Sequence, residues 1–346
     1  MNSQQKGKDS SMRRIERPTA RYLACGAVAV ALTLAGCSAD RPGPSGGAPG
    51  GSEKPLKMAF VPGIASDPFF RAMEIAAKEE AKELGIDLIW QGAANEYSPQ
   101  SQLPFVDAAL TEDIDALVLV PTDADALQPS VAKAVSQGIP VITVDTTVSD
   151  PSDLVAHITG DNEDGGARAA EELNAQAKGG GKVLIISASP TNTTGTQRVH
   201  GFQSGVKKKF DALDLLPVQY AYSQPSEATT ILNTTLLENP DLVGVFAVDG
   251  TSCTGAVAAL NNSNKVGDVK LICYDAYAAQ VADLEAGVIS ALIAQDPARE
   301  ARLALQFAYA KVTGEGRDEI EDEVVIPNVV MNLDNLDETR KYQYAE

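Results

Sequence analysis

The sequence predicts an α/β protein made of two similar, doubly wound lobes, each with a parallel sheet covered by helices on both faces. From Lys57 onward, short apolar runs rich in β-branched residues alternate with amphipathic runs of helical periodicity. The short runs are apolar throughout, as in strands that are buried on both faces. About five strand units precede residue 160 and about five follow it, which predicts the two lobes.

The predicted strands are, in chain order, MAFVP, IDLIW, ALVLV, PVITV and VAHI, then KVLIIS, PVQYAY, VGVFAV, VKLICY and ISALIA. The first helix, PFFRAMEIAAKEEAKEL, ends at Gly85, since glycine accepts the left-handed backbone that closes a helix. The glycine run at 179–181 precedes a strand and predicts a turn, not a phosphate-binding loop. Ligands of such sheets bind beyond the carboxyl ends of the strands, so two facing lobes predict a cleft there.

The sequence before Lys57 predicts an exported protein with a lipid anchor. Basic residues precede the apolar run YLACGAVAVALTLA, which is too short to span a membrane comfortably and is typical of a signal peptide. The run ends in LAGC, which resembles a bacterial lipobox, where cleavage before the cysteine is followed by lipidation of its thiol. We therefore predict a lipoprotein signal peptide over 1–36 and a lipidated Cys37. An ordinary signal peptide with a nearby cysteine is the alternative.

Residues 37–55 comprise the predicted lipidated cysteine and a stretch rich in glycine, proline and serine. That composition cannot bury a core, so it predicts a flexible tether. A diacyl anchor supplies two chains, enough for stable attachment at the extracellular face of the cell membrane. Two further cysteines, Cys253 and Cys273, would form either a disulfide, which an external compartment permits, or two buried free thiols.

The charge of the chain excludes two classes of partner. The whole chain carries −19 and residues 1–36 carry +4, so the remainder carries −23. Such an acidic protein repels nucleic acid and anionic lipid, so we predict no nucleic-acid partner and membrane attachment through the anchor only. No cluster of histidine, cysteine and aspartate has the spacing of metal ligands, so we predict neither a metal nor a cofactor.

Polar residues stand directly after four of the predicted strands, at Asp145, Asp249, Asp275 and Gln295. Because the carboxyl ends of parallel strands meet at one edge, we expect these side chains to converge, together with the DPFF segment that follows the first strand. For any single aspartate the alternative is the N-cap of the next helix. Arg198 is the predicted cation of this face, with a charge-offsetting or plain surface role as the alternatives.

This set of side chains predicts a neutral polyol, such as a sugar, as the ligand. Carboxylates accept strong hydrogen bonds from hydroxyl groups, and an amide both donates and accepts. Aromatic faces pack against the C–H surface of a sugar ring. We therefore expect Phe69 or Phe70 to face the cleft. The alternative is that both rings pack into the core under the helix.

The chain from Lys57 to about Val330 resembles the ribose-type periplasmic solute-binding proteins that serve ABC transporters. The resemblance rests on segments in matching order and spacing, namely DPFF, VPTDADAL, GIPVITVD, HITGDNEDGG, RVHGF, VFAVDG, CYDA and IAQDP. It implies the type I periplasmic binding protein fold, with three hinge crossings near 159–161, 294–296 and 323–325. The implied N-terminal lobe is 56–159 plus 296–323, and the implied C-terminal lobe is 160–295 plus 324–346.

The resemblance also implies roles for the site residues. Phe69 and Phe70 would sandwich a sugar ring, while Asp145 and Arg198 would hold hydroxyl groups and the ring oxygen. The remaining implied ligand contacts are Asp67, Tyr222, Asp249, Asp275 and Gln295.

The chain departs from the family pattern at several of these positions. Asp67 stands where the family often has asparagine, and Thr146 stands where an arginine is common. Val120 replaces a residue that is often polar, and the position that often carries an aromatic side chain falls at Tyr222 or Ser223. We therefore expect a pocket built on the family plan with altered ligand preference.

The predicted function is that of a lipid-anchored substrate-binding protein of an ABC importer. It would act as a monomer that captures a monosaccharide or similar neutral polyol and delivers it to the permease subunits. The alternative is a tethered sensor for a sugar-like signal molecule such as autoinducer-2, without transport. An enzyme is not predicted, because GTSCTG near Ser252 matches a nucleophile elbow only loosely. A transcriptional regulator is excluded because a signal and tether stand where a helix-turn-helix would.

Overall fold

The computed structural model describes residues 54–177 and 179–345. The predicted signal peptide, the lipidation of Cys37 and the tether up to Glu53 lie outside the described residues. Within the described ranges, no helix combines the length and the apolar composition needed to cross a membrane.

The chain up to Gly160 alternates strands and helices, as its apolar pattern predicts. The elements are β1 (Lys57–Val61), α1 (Pro68–Leu84), β2 (Asp87–Trp90), α2 (Pro99–Thr111), β3 (Ala116–Leu119), α3 (Gln128–Ser136), β4 (Val141–Val144) and β5 (Ala156–Gly160). β3 and β4 are buried along their whole length, as strands with helices on both faces must be. The predicted end of α1 is confirmed, since Gly85 closes it with a φ of 69°.

The next part of the chain repeats this alternation. Its elements are α4 (Asn162–Gln176), β6 (Gly181–Ser187), α5 (Thr193–Lys209), β7 (Leu213–Leu215), β8 (Gln219–Tyr220), α6 (Pro225–Glu238), β9 (Leu242–Ala247), α7 (Gly250–Asn262), β10 (Lys270–Tyr274), α8 (Ala278–Glu285) and β11 (Ala291–Ala294). The prediction of one strand over PVQYAY is wrong: β8 has two residues, and β7 is an additional strand. Pro217 lies between them, and a residue without an N–H cannot donate to a strand ladder.

The C-terminal part returns to both lobes. It contains α9 (Pro297–Thr313), β12 (Glu323–Ile326), β13 (Val329–Met331) and α10 (Leu336–Thr339), with short 3₁₀ helices at 317–319 and 340–342. The first sheet has the order β12-β5-β4-β3-β1-β2 and is parallel throughout. The second has the order β13-β11-β10-β9-β6-β7, with β8 also paired to β6, and only β13 runs antiparallel. The predicted fold class of two α/β lobes is therefore confirmed.

The chain passes between the two sheets three times. β5 belongs to the first sheet, whereas the following helix α4 packs against α5 and the second sheet. β11 belongs to the second sheet, whereas the following helix α9 packs against α1 and the first. β12 and β13 belong to the first and second sheets, so the third passage is at residues 327–328.

The expected third crossing near 323–325 is therefore wrong by a few residues. Glu323–Ile326 pair in parallel with His157–Gly160, so residues 324–326 belong to the first lobe and not to the C-terminal lobe. The cause is the run EVVIP, in which the apolar residues continue the edge of the first sheet until Pro327 ends the pairing.

Two features hold the second lobe's helices in place. A Cβ on Gly166 of α4 would lie 2.0 Å from the carbonyl oxygen of Arg198, so α4 and α5 pack too closely for any side chain there. Cys253 of α7 and Cys273 of β10 form a disulfide, which decides between the two alternatives left open by the sequence. Closing this loop stabilises the fold by roughly 3 kcal/mol in the chain-entropy account.

Candidate ligand-binding site

A cavity lies between the lobes, at the carboxyl ends of the parallel strands. The cavity has a volume of about 60 Å³. Since one water molecule needs about 10–15 Å³, the cavity can hold about four to six waters or one small, compact ligand. Eight of the nine predicted ligand contacts line it, namely Asp67, Phe69, Phe70, Asp145, Arg198, Asp249, Asp275 and Gln295.

The aromatic pair comes from the first turn of α1. Asp67 caps this helix by accepting a hydrogen bond of 2.8 Å from the backbone N–H of Phe69, and Pro68 presets the first helical φ. The rings of Phe69 and Phe70 meet edge to face with centroids 5.2 Å apart, and both line the cavity. Each is 5% exposed and also belongs to the hydrophobic core, so both alternatives for this pair hold in part.

Arg198 is fixed by acceptors before any ligand is present. Its Nε donates to Asn162 Oδ1 at 2.7 Å, one terminal nitrogen donates to Gln295 Oε1 at 2.8 Å, and the other to a backbone carbonyl at 3.1 Å. The guanidinium also lies over the ring of Tyr274, 3.8 Å from its centroid. Because the side chain is 4% exposed, this network holds the cation in one orientation.

Asp275 accepts hydrogen bonds at both of its carboxylate oxygens. Its oxygens accept from the backbone N–H of Gly250 at 2.8 Å, from Gln295 Nε2 at 2.8 Å and from the Tyr344 hydroxyl at 3.0 Å. Its backbone has a φ of 76°, in the left-handed region that aspartate tolerates better than most residues. The donors therefore set the direction of this carboxylate in advance.

Asp145 differs from Asp275 in its hydrogen bonding. It is 7% exposed, and its nearest cationic partner is a terminal nitrogen of Arg198, 3.6 Å from Oδ1. That oxygen is buried and accepts no hydrogen bond. A buried acceptor without a donor costs about 1–3 kcal/mol, so a ligand hydroxyl or ammonium at this atom would recover that cost.

Asp249 is both the N-cap of α7 and a residue of the cavity wall. Its side chain caps α7 by accepting from the backbone N–H and the hydroxyl of Ser252, each at 2.8 Å. It also accepts from the hydroxyl of Thr251 at 2.5 Å. The same carboxylate lines the cavity, so the cap holds it in place at the mouth of the cleft.

Burial makes several of these carboxyl groups hard to ionise. It raises the pKa of Asp67 to about 7, with a further contribution from the negative charge of Asp275. Burial also raises the pKa of Asp145 to about 7, partly offset by the neighbouring Arg198. The pKa of Asp275 is raised for the same first reason, against the lowering effect of Arg198.

Tyr222 is the predicted contact that does not line the cavity. Its side chain is 61% exposed, and the backbone at Tyr222 and Ser223 is left-handed, with φ values of 51° and 53°. This turn directs Tyr222 outward and places Ser223 at the cavity instead. Of the two residues at which the family's aromatic position falls, Ser223 lines the cavity and Tyr222 does not, so the expected aromatic contact of Tyr222 is wrong.

Sequence reasoning missed five polar side chains that line the cavity, namely Tyr97, Asn192, Thr194, Thr251 and Tyr277. Hydrogen bonds of three of them join the lobes. The Tyr277 hydroxyl lies 2.9 Å from both oxygens of Asp67, and Asn192 Nδ2 donates to the Tyr97 hydroxyl at 3.0 Å. Tyr97 and Tyr277 lie in the loops after β2 and β10, and this placement beyond a strand end is the sequence signal that points to them.

The site offers no metal centre within the described part of the chain. No group of three or more histidine, cysteine, aspartate or glutamate side chains among residues 54–177 and 179–345 could hold a metal ion. What the site offers is a set of fixed hydrogen-bonding groups beside an aromatic pair, drawn from both lobes. This arrangement can bind and enclose a small molecule.

Comparison with known proteins identifies the family. The profile described as "Periplasmic binding protein domain" matches residues 58–316. The chain belongs to the periplasmic binding protein family. The D-ribose/D-allose-binding protein of Pseudomonas aeruginosa is 30% identical over 281 residues, which cover 79% of this chain and 87% of that protein. The ribose import binding protein of Bacillus subtilis is 28% identical over 287 residues, covering 82% and 92%.

Solved structures of this family match the fold closely. A solute-binding protein of an ABC transporter from Agrobacterium vitis, bound to alpha-D-tagatopyranose, aligns with a TM-score of 0.80 and 30% identity over 84% of this chain and all of that one. A carbohydrate transporter solute-binding protein from Agrobacterium radiobacter, in complex with D-arabinose, aligns with a TM-score of 0.79 and 26% identity over 84% and 98%. These relatives are binding proteins, in agreement with the prediction that the chain is not an enzyme.

Proposed function

We propose that this periplasmic binding protein captures a monosaccharide or similar polyol between its lobes and delivers it to the permease of an ABC importer. The observation that carries the proposal is the convergence of fixed carboxylate, amide and guanidinium groups from both lobes on one buried cavity beside Phe69 and Phe70. Such a set matches the alternating hydroxyl edges and C–H faces of a sugar. The names of the relatives, which include ribose, allose and xylitol binders, support the same ligand class.

The mechanism follows from the origin of the contacts. Arg198, Asp249 and Asp275 come from the second lobe, whereas Phe69 and Asp145 come from the first. A ligand that touches both groups stabilises the state in which the lobes are closed, because only that state makes every contact. The three places where the chain passes between the lobes, at residues 327–328 and at the ends of β5 and β11, would act as hinges. Their backbone angles would change when the lobes close.

The proposal places the protein at the outer face of a membrane, held by a lipid on Cys37. The support is the order of basic region, apolar run and LAGC in the sequence. Mass spectrometry of the protein from the membrane fraction should show a mature chain that begins at Cys37 and carries a diacylglyceryl group on that residue. A mature chain that begins elsewhere, or a Cys37 without lipid, would contradict the lipid anchor.

A thermal-shift screen tests the binding proposal. Protein that begins at Ser38, and so contains the whole described fold, is heated with pentoses, hexoses, deoxysugars, pentitols and autoinducer-2. A ligand present at a hundred times its Kd stabilises the folded state by about 2.7 kcal/mol. For a chain of this size we expect the Tm to rise by roughly 4 °C. A cooperatively folded protein that responds to none of these compounds would contradict the proposal.

A further inference from the structure

The charged groups of the cavity are unbalanced. Among the described residues that line it, four are carboxylic acids, and Arg198 is the one cation. If every group were ionised, the cavity would carry a formal charge of −3. Hydrogen bonds from neutral donors orient these carboxylates, but they do not cancel the charge, and burying an uncompensated charge is costly.

The imbalance is concentrated at one end of the cavity. Arg198 interacts electrostatically with Asp145 and Asp275, so these carboxylates form, with Gln295, what we call the cationic end. Among the described residues Asp67 forms no ion pair, and the charges that act most strongly on it are the negative charges of Asp275 and Asp249. We call the region of Asp67, Asp249 and Tyr277 the acidic end.

The acidic end is a continuous wall that includes both lobes. Tyr277 donates to Asp67, and its ring lies against the residue after Asp249, because a Cβ on Gly250 would be 2.1 Å from Tyr277 Cζ. A second opening, lined by Asp67, Thr251 and Tyr277, adjoins this end. A group at the acidic end therefore faces two carboxylates and a phenol, without a cation.

Asp145 independently indicates that the ligand supplies a hydrogen-bond donor to the cavity. Its Oδ1 is a buried oxygen that accepts no hydrogen bond, and the residue lines the cavity. A hydroxyl group on the ligand would satisfy it at the cationic end. A ligand that spans the cavity would then meet a single oxygen acceptor at one end and a pair of carboxylates at the other.

We propose that the preferred ligand is a polyol that carries a protonated amino group, with its ammonium at the acidic end facing Asp67 and Asp249 and a hydroxyl donating to Asp145. The inference rests on the proposed function and narrows its ligand class from neutral to amino-substituted polyols. An ammonium supplies three donors and the positive charge that the acidic end lacks. Burial raises the pKa of Asp67, and an ammonium beside it would favour its ionised form.

Calorimetric titration with matched pairs of probes tests the inference. Each pair differs in one group: 1-amino-1-deoxyribitol against ribitol, glucosamine against glucose, and galactosamine against galactose, at pH 7 and low salt. We expect the amino member of at least one pair to bind about tenfold tighter or more, which is the ratio that one well-placed ion pair supplies. Added salt should narrow that ratio, because it screens charge.

Variants locate the effect. Asparagine also caps helices, so Asp67→Asn and Asp249→Asn preserve the starts of α1 and α7. Each should bring the affinity ratio of the amino and neutral members close to one. Asp318→Asn removes an exposed carboxylate far along the chain and should leave the ratio as it is. A ratio unchanged in both cavity variants would overturn the placement of the ammonium.

The outcomes separate this inference from the proposed function. If neutral members bind as tightly as amino members in every pair, the inference is wrong and the sugar-binding function stands. If the amino member is preferred, both stand. If the folded protein binds no member of any pair and no sugar in the thermal screen, both are wrong.

Discussion

The buried carboxylates at the two ends of the cavity are stabilised by different groups. At the cationic end, Arg198 supplies a full positive charge, and Gln295 links it to Asp275 by accepting from one and donating to the other. At the acidic end, Asp67 and Asp249 are the N-caps of α1 and α7, so the partial positive charge of a helix start stands where a cation would. The difference teaches that a helix start can hold a buried carboxylate in place without neutralising it.

This contrast predicts different consequences for the two ends. The cationic end is assembled in advance and depends on its own charge balance for stability. The acidic end keeps an unmet demand for positive charge, which makes it the place where ligands are discriminated. The following variants and conditions test that division, from the largest expected effect to the smallest.

The largest effect is expected for Arg198→Ala. Removing this cation leaves Asp145 and Asp275 buried without a charge partner, and breaking a buried pair in this way costs about 3–5 kcal/mol. Urea unfolding in the absence of ligand measures the loss. Arg168→Ala is the matched control, since it removes an exposed arginine paired with Asp164 and should cost about 0.5 kcal/mol or less. A free energy of unfolding within about 1 kcal/mol of the parent would show that the cationic end does not depend on its charge balance.

The second effect concerns Asp145. Asp145→Ala removes the acceptor offered to the ligand and should weaken sugar binding by roughly 2–4 kcal/mol, the value of a buried charge-assisted hydrogen bond. Because Oδ1 has no hydrogen-bond donor in the free protein and Arg198 keeps its other acceptors, the same change should cost less stability than Arg198→Ala, with the left-handed backbone of residue 145 (φ of 58°) as the main source of the loss. Titration gives the first quantity and urea unfolding the second. Parent-like affinity would remove Asp145 from the site, and a large stability loss would make its role structural.

Much of this division is predictable from sequence because it follows from topology. Asp145, Asp249 and Asp275 each follow a parallel strand, and parallel strands deliver their ends to one edge whatever their side chains are. Loop conformation decides the rest. Tyr277 and Tyr97 reach the cavity from loops whose path depends on contacts between the lobes, which no local pattern encodes.

The third effect is that of the disulfide, which joins the two ends. Cys253 lies in the first turns of α7, whose cap is Asp249, and Cys273 lies on β10 just before Asp275. Replacing both cysteines by alanine should lower the free energy of unfolding by roughly 3 kcal/mol, because the unfolded chain gains the conformational entropy that the disulfide had removed. Ligand affinity should fall by tenfold or less, because packing of α7 remains. A loss of affinity larger than the loss of stability would mean that the bond positions Asp249 directly.

The smallest effect is the dependence of stability on pH. Folding raises the pKa of Asp67 and Asp145 from 3.8 to about 7, so the folded protein binds more protons than the unfolded chain between about pH 4 and about pH 7. Their contribution to stability is fully present below about pH 4 and is lost as the pH rises through about 7. The charged and titratable groups that face these two carboxyl groups are Tyr97, Arg198, Asp249, Asp275, Tyr277 and Glu300.

We expect the free protein to lose roughly 1–2 kcal/mol of stability between pH 5 and pH 7.5, since one pKa unit corresponds to about 1.4 kcal/mol and opening of the lobes would relieve much of the burial. Asp67→Asn and Asp145→Asn should flatten this dependence to a similar extent, because burial raises both pKa values to about 7 and the value for Asp145 already includes the lowering effect of Arg198. Urea unfolding at several pH values measures both slopes. A clearly larger flattening in Asp67→Asn would show that Arg198 eases the ionisation of Asp145 more than the start of α1 eases that of Asp67, which would sharpen the contrast between the two ends. A clearly larger flattening in Asp145→Asn would reverse that contrast.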